Sequence, residues 1–112
     1  MSEPIPQPWE ARHARFGFSE GHGYKHRPII VLATRFDGLL VAMVTGVANK
    51  LSLEHGYPIR EWEAAGLDKP SIARLDRIAE IPAGYLGVAG RIGCLTYGDI
   101  NAVKAILAKI TR

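Results

Sequence analysis

Pro28-Ile29-Ile30-Val31-Leu32-Ala33-Thr34 is rich in β-branched residues, led by a proline and too short for a typical helix. It reads as a central strand with Pro28 at its first position, where a missing N–H is tolerated. Asp37-Gly38 then marks a hairpin turn, and Leu39-Leu40-Val41-Ala42-Met43-Val44-Thr45 is the partner strand. Neither run approaches the ~20 apolar residues of a membrane-spanning helix. Two such strands commit a chain of 112 residues to a sheet around one core.

The flanking segments fill in the sheet. Glu10 to Phe18 leads into a loop, Ser19-Glu20-Gly21-His22-Gly23-Tyr24-Lys25-His26, with the glycines and polar residues of a flexible connection. A polar excursion from Gly46 to Lys69 contains Tyr57-Pro58 and a short helical stretch, Arg60 to Ala65, stopped by Gly66 as a C-terminal cap. Ser71 to Ile78 reads as a strand with one face at a site, apolar at Ile72 and polar at Arg74 and Asp76, although Ala73 and Leu75 break strict period two. Ile81 to Leu86 is a turn or single helical turn, and Arg91-Ile92-Gly93 a short strand. Thr96 is placed to cap a terminal amphipathic helix, with Asp99 three residues on and Ile100, Val103, Ile106, Leu107 and Ile110 as its apolar stripe. About five strands and one helix predict a mainly β fold, a small SH3-like antiparallel barrel. Such barrels host many functions, so the site residues must carry the assignment.

Charge and cysteine content narrow the setting. The formal charge of +3 favours polyanions without demonstrating one. A lone Cys94 makes no internal disulfide and begins no zinc site, which fits a reducing compartment. Residues 1–10, with Pro4, Pro6 and Pro8 and no apolar run, read as a flexible tail and neither signal nor anchor, leaving 11–112 as one domain. The expected location is cytoplasmic.

Four segments recur in a telling order. They are Arg15-Phe16-Gly17-Phe18 with the loop up to Lys25-His26-Arg27-Pro28-Ile29-Ile30-Val31-Leu32; Val44-Thr45-Gly46; Lys69-Pro70-Ser71-Ile72-Ala73-Arg74-Leu75-Asp76; and Arg91-Ile92-Gly93-Cys94-Leu95. Together they resemble the PemK/MazF family of type II toxin–antitoxin endoribonucleases, from Arg15 to Ile110. The pattern departs from the family at Met43 and Gly46, where proline and serine are frequent, and at Tyr24-Lys25-His26 ahead of Arg27-Pro28. The resemblance implies a barrel of CcdB/MazF type, a homodimer, sequence-selective cleavage of single-stranded RNA without metal or other cofactor, and neutralisation by an antitoxin.

It also implies site residues. Metal-free RNA cleavage uses the substrate 2′-hydroxyl as nucleophile and leaves 2′,3′-cyclic phosphate and 5′-hydroxyl ends, so the protein supplies base, acid and positive charge. Arg27 matches the family's active-site arginine, and Pro28 pushes it into extended backbone at a strand mouth. Thr45 is a hydrogen-bonding partner for phosphate or 2′-hydroxyl. Arg74 and Asp76, two apart on a strand, project to one face. His22 is a candidate acid or base in the loop. Tyr24, Lys25, His26, Lys69 and Ser71 complete the set as RNA contacts. Each has a plain alternative: a solvated strand-start arginine, a threonine chosen for strand propensity, a surface ion pair, solvated loop histidines and lysines. His22 and His26 have the spacing of a helical metal pair, but Gly23 between them argues for a loop, and no metal is expected. A non-catalytic SH3-like module binding RNA or a peptide is the competing function, distinguished by having no need of Arg27, Thr45, Arg74 and Asp76 together. A gyrase-poisoning toxin on the same barrel is a third reading; its members end in Trp-Gly-Ile, whereas this chain ends Ile110-Thr111-Arg112.

Overall fold

Ile29, Ile30, Val31 and Leu32 are buried in succession, as only a strand covered on both faces can be. Alternate residues serve two layers. Ile30 and Leu32 join Ala42, Val44, Ala73, Leu75, Leu95 and Val103 in the larger cluster, while Ile29 and Val31 join Leu39, Val41, Ile81 and Leu86 in the smaller. The computed structural model describes residues 6–17, 24–35, 38–46, 56–86 and 91–110.

These residues form β1 (Glu10–Gly17), β2 (Tyr24–Arg35), β3 (Gly38–Gly46), β4 (Gly56–Pro58), β5 (Ser71–Ile81), a 3₁₀ turn (Ala83–Leu86), β6 (Arg91–Cys94) and α1 (Tyr97–Ile110). The sheet runs β4-β5-β3-β2-β1-β6, each pair antiparallel. The expected β2–β3 hairpin is present, with Arg35 opposite Gly38. Phe36 and Asp37, which include half of the expected turn, lie outside the described residues.

Two expectations are corrected. Strand β2 begins at Tyr24, so Pro28 is interior, opposite His13 of β1. Val31 turns its carbonyl to β1, where the Trp9 N–H takes it at 2.6 Å; by alternation Pro28 turns toward β3. Pairing with β3 starts only at Ile29, so the missing N–H removes no ladder bond. In β5 the core face carries Ser71, Ala73 and Leu75, all buried, and period two holds on that parity rather than on Ile72. Hydrogen-bonded structure also begins before residue 11: the Gln7 N–H reaches Glu10 Oε1 at 3.1 Å, and Trp9 packs on the larger cluster.

The sheet closes through glycine. After β4, residues 60–66 form a helical turn with bonds Leu67 N–H to Trp62 carbonyl and Gly66 N–H to Glu63 carbonyl, both 3.0 Å. This is the Schellman pattern, and Gly66 has the left-handed φ of 93° that it requires. The cap of Gly66 by sequence is therefore as expected. A Cβ on Gly93 of β6 would collide with the Ala65 carbonyl, and one on Gly66 with the Ile92 carbonyl. Backbone meets backbone at this seam, which brings the β4 end of the sheet against β6. Glu10 reinforces the other side of β6, taking Arg91 Nε at 2.9 Å and Arg12 Nη1 at 3.1 Å. Burial pushes the Glu10 pKa up, but its bonds from Gln7, Arg91 and Arg12 outweigh that and hold it below the ordinary value.

Candidate functional site

Strand β3 lies between β2 and β5, and its register sets which side chains meet. Met43 is opposite Ile29 on one side and Arg74 on the other. Thr45 is two residues beyond Met43 and Arg27 two before Ile29, so alternation projects Arg27, Thr45 and Arg74 from one face, at one end of three adjacent strands. Arg74 lies opposite Met43 and Thr45 opposite Ile72, while the β2–β3 ladder ends at Ile29, one turn of the pleat before Arg27. The smaller apolar cluster occupies the other end of this face, and Met43 packs against it at the boundary.

Asp76 joins the set through an irregularity. The β3–β5 register steps from Ala42 opposite Ile78 to Met43 opposite Arg74, so residues 75–77 have no counterpart in β3. Leu75 enters the larger core cluster, and Asp76 stays exposed on the Arg74 side. A bulge of this kind re-aims side chains. Arg74 Nε donates to Asp76 Oδ1 at 3.3 Å and Nη2 to Oδ2 at 2.8 Å, a two-pronged pairing that fixes the guanidinium plane. Arg74 is 19% exposed and Asp76 31%, so solvent reaches both.

Of the other expected site residues, Arg27 is exposed. Lys69 is exposed and runs alongside Gly46, the residue after Thr45: a Cβ on Gly46 would lie 3.4 Å from Lys69 Cε and 3.6 Å from Nζ. Ser71 does not join the exposed face. It is buried, and its hydroxyl donates to the Lys69 carbonyl at 2.8 Å. Tyr24, Lys25 and His26 occupy the first three positions of β2, opposite Gly17, Phe16 and Arg15. His22 lies outside the described residues. Among the described residues no group of three or more His, Cys, Asp or Glu is placed to hold a metal ion.

A second polar centre was not visible in the sequence. Asp99, 1% exposed in the first turn of α1, accepts from Tyr57 Oη at 2.5 Å and from the Arg60 and Glu61 N–H groups at 3.0 Å each. The Thr96 hydroxyl lies 3.5 Å from its Oδ2. Thr96 does open α1, accepting the Ile100 N–H at 2.8 Å, but Asp99 caps the 60–66 turn instead of its own helix. Burial pushes the Asp99 pKa up; the bonds from Tyr57, Glu61, Arg60 and Thr96 together outweigh it and hold the carboxyl below its ordinary value. Burial and the neighbouring carboxylate push the Tyr57 hydroxyl up to about 12. Tyr57 and Trp62, both candidates for base stacking by type, pack against the larger core cluster. The only sequence signal for Asp99 was its spacing from Thr96, which reads equally well as a local cap.

An all-antiparallel six-stranded barrel closed at a glycine seam, with one C-terminal helix packed on its larger core, has the architecture of the MazF-type toxins. The solved structure of Mycobacterium tuberculosis toxin MazF-mt6 matches it with a TM-score of 0.69 over 89% of this chain and 93% of that one, at 22% identity. No protein-family model matches the sequence, and no curated protein is similar to it in sequence. No helix among the described residues is long and apolar enough to cross a membrane.

Proposed function

We propose that this chain is an endoribonuclease toxin of a type II toxin–antitoxin system, acting in the cytoplasm as a homodimer on single-stranded RNA and silenced by an antitoxin protein. The observation that carries the reading is the Arg74–Asp76 fork on β5, on the sheet face to which alternation also assigns Thr45 and Arg27. A MazF-type barrel as scaffold supports it.

In this reading the substrate supplies the nucleophile. Its 2′-hydroxyl attacks the adjacent phosphorus, the P–O5′ bond breaks, and the products are a 2′,3′-cyclic phosphate and a 5′-hydroxyl. The pentacovalent phosphorane gathers negative charge on its non-bridging oxygens. Arg74 gives one edge of its guanidinium to Asp76 and keeps N–H donors for those oxygens, and Arg27 adds a second cation from β2. Asp76 positions Arg74 and stands as an acceptor for the 2′-hydroxyl proton. Thr45 hydrogen-bonds the phosphate, and His22 is the acid that protonates the departing 5′-oxygen. Tyr24, Lys25 and His26 contact the flanking nucleotides. No step calls on a metal ion or cofactor.

The test is to incubate the protein with a long single-stranded RNA in excess EDTA, alongside Arg27→Ala and Arg74→Ala. Discrete cuts by the wild-type protein, lost in both variants even at protein concentrations that saturate RNA binding, are expected. RNA that is bound by all three and cut by none overturns the enzyme reading in favour of a binding module.

A further inference from the structure

The sheet face that carries Arg27 and Arg74 continues onto β1 and β6. Residues directly opposite one another in an antiparallel ladder share a face. One row of such partners crosses five strands: Arg91 on β6, Arg12 on β1, Ile29 on β2, Met43 on β3 and Arg74 on β5. The β6 end of this row holds three charges. Glu10 takes Arg12 Nη1 on one carboxylate oxygen and Arg91 Nε on the other. One carboxylate between two guanidiniums leaves a net positive charge, and the side chains of Arg12 and Glu10 are only 15% and 12% exposed, where solvent screens little of it. Arg12 Nε is buried and has no hydrogen-bond partner among the described residues. A largely buried cluster short of one negative charge and one acceptor is completed by an anion.

Arg91 is the member that can meet one. Its side chain is 57% exposed, and its bond to Glu10 is made through Nε. A guanidinium held at Nε is fixed in orientation and still offers the paired Nη donors that match two phosphate oxygens. We infer that Arg91, held by Glu10 and backed by the charge of Arg12, binds a backbone phosphate of the RNA outside the cut itself, two strand spacings, ~10 Å, from the strand of Arg27. The inference rests on the proposed RNA-cleaving function and extends its RNA path across β1 to β6. The recognised group is a phosphodiester, the same beside every base, so the contact adds affinity without sequence preference.

The experiment uses two single-stranded RNAs centred on the mapped cut position, one just spanning it and one extended by several nucleotides on each side. Both carry 2′-deoxyribose at the cut, which prevents cleavage, and affinity is measured across a salt series. Each phosphate neutralised on a single strand adds about 0.7 to the slope of log affinity against log salt. On the longer RNA, Arg91→Gln is expected to reduce the slope by about 0.7 and Arg91→Lys to keep it. On the shorter RNA both variants are expected to match wild type, and Arg91→Gln to cut its all-ribose form at the wild-type rate, which shows the variant folded. Lys109→Gln removes the same charge from α1, which packs on the larger cluster behind the sheet, and is expected to leave both slopes unchanged. An Arg91→Gln slope on the longer RNA equal to those of wild type and Lys109→Gln overturns the subsite and leaves the ribonuclease reading standing. A loss of equal size on both RNAs overturns it too, because it places the contact at the cut. If the wild-type protein neither binds nor cuts RNA, both fall.

Discussion

Arg74 gives two of its N–H groups to Asp76, and that pairing decides what substitution there does. An exposed ion pair contributes about 0–1 kcal/mol to stability. Arg74→Lys should therefore leave the denaturation midpoint almost unchanged, yet lower RNA cleavage by about 10²–10³-fold, the cost of losing one preorganised donor to a developing anion. A matching fall in stability would mean the pair is merely structural. Asp99 behaves in the opposite way. Its carboxylate is buried under charge-assisted bonds, so Asp99→Asn should cost roughly 2 kcal/mol near neutral pH in a denaturant titration. Its pKa is lower folded than unfolded, so its contribution is complete above the ordinary value of 3.8 and is lost as pH falls through the depressed folded value. The stability gap between wild type and Asp99→Asn should thus narrow on acidification below about pH 4; a gap independent of pH would show that the ionised form is not what is held.

Elements whose signals are local were legible in the sequence. The apolar runs of β2 and β3, the glycine cap at Gly66 and the 3–4-residue stripe of α1 each announce themselves within a few residues. Strand β1 did not, because its core positions are the small Ala11 and Ala14 set among charged residues. Nor did the start of β2, since the sequence shows Pro28 but not that β3 stops pairing just before it. The exposed face was partly legible: two residues apart on a strand suffices to align Arg74 with Asp76, and the structure adds the bulge that exposes them. Ser71 shows the limit, because its burial depends on which parity of β5 faces the core. The partners of Asp99 lie 38 to 42 residues away and carry no local pattern. At the seam, Gly93→Ala drives a Cβ into the Ala65 carbonyl, so the turn and β6 must part. The expected cost is about 1–3 kcal/mol, read from equilibrium unfolding, whereas Gly98→Ala, with open space around it, should cost nothing or stabilise α1. Equal effects of the two would contradict closure at this seam.

Across the whole molecule, the barrel holds a face from three strands at one end, with the helix and larger core behind it. The formal charge of +3 favours polyanions only weakly, so the proposed function makes RNA affinity depend on individual cations such as Arg27 and Arg74. The central claim is that this face cuts RNA using the substrate's own 2′-hydroxyl. The most direct measurement pairs two RNAs identical except for a single 2′-deoxyribose at the mapped cut position, incubates both with the protein in excess EDTA, and analyses the ends. The account predicts cleavage of the all-ribose strand to 2′,3′-cyclic phosphate and 5′-hydroxyl termini and none of the substituted strand at that position. Cleavage of the deoxy-substituted strand at the same position, or 5′-phosphate ends, would contradict it.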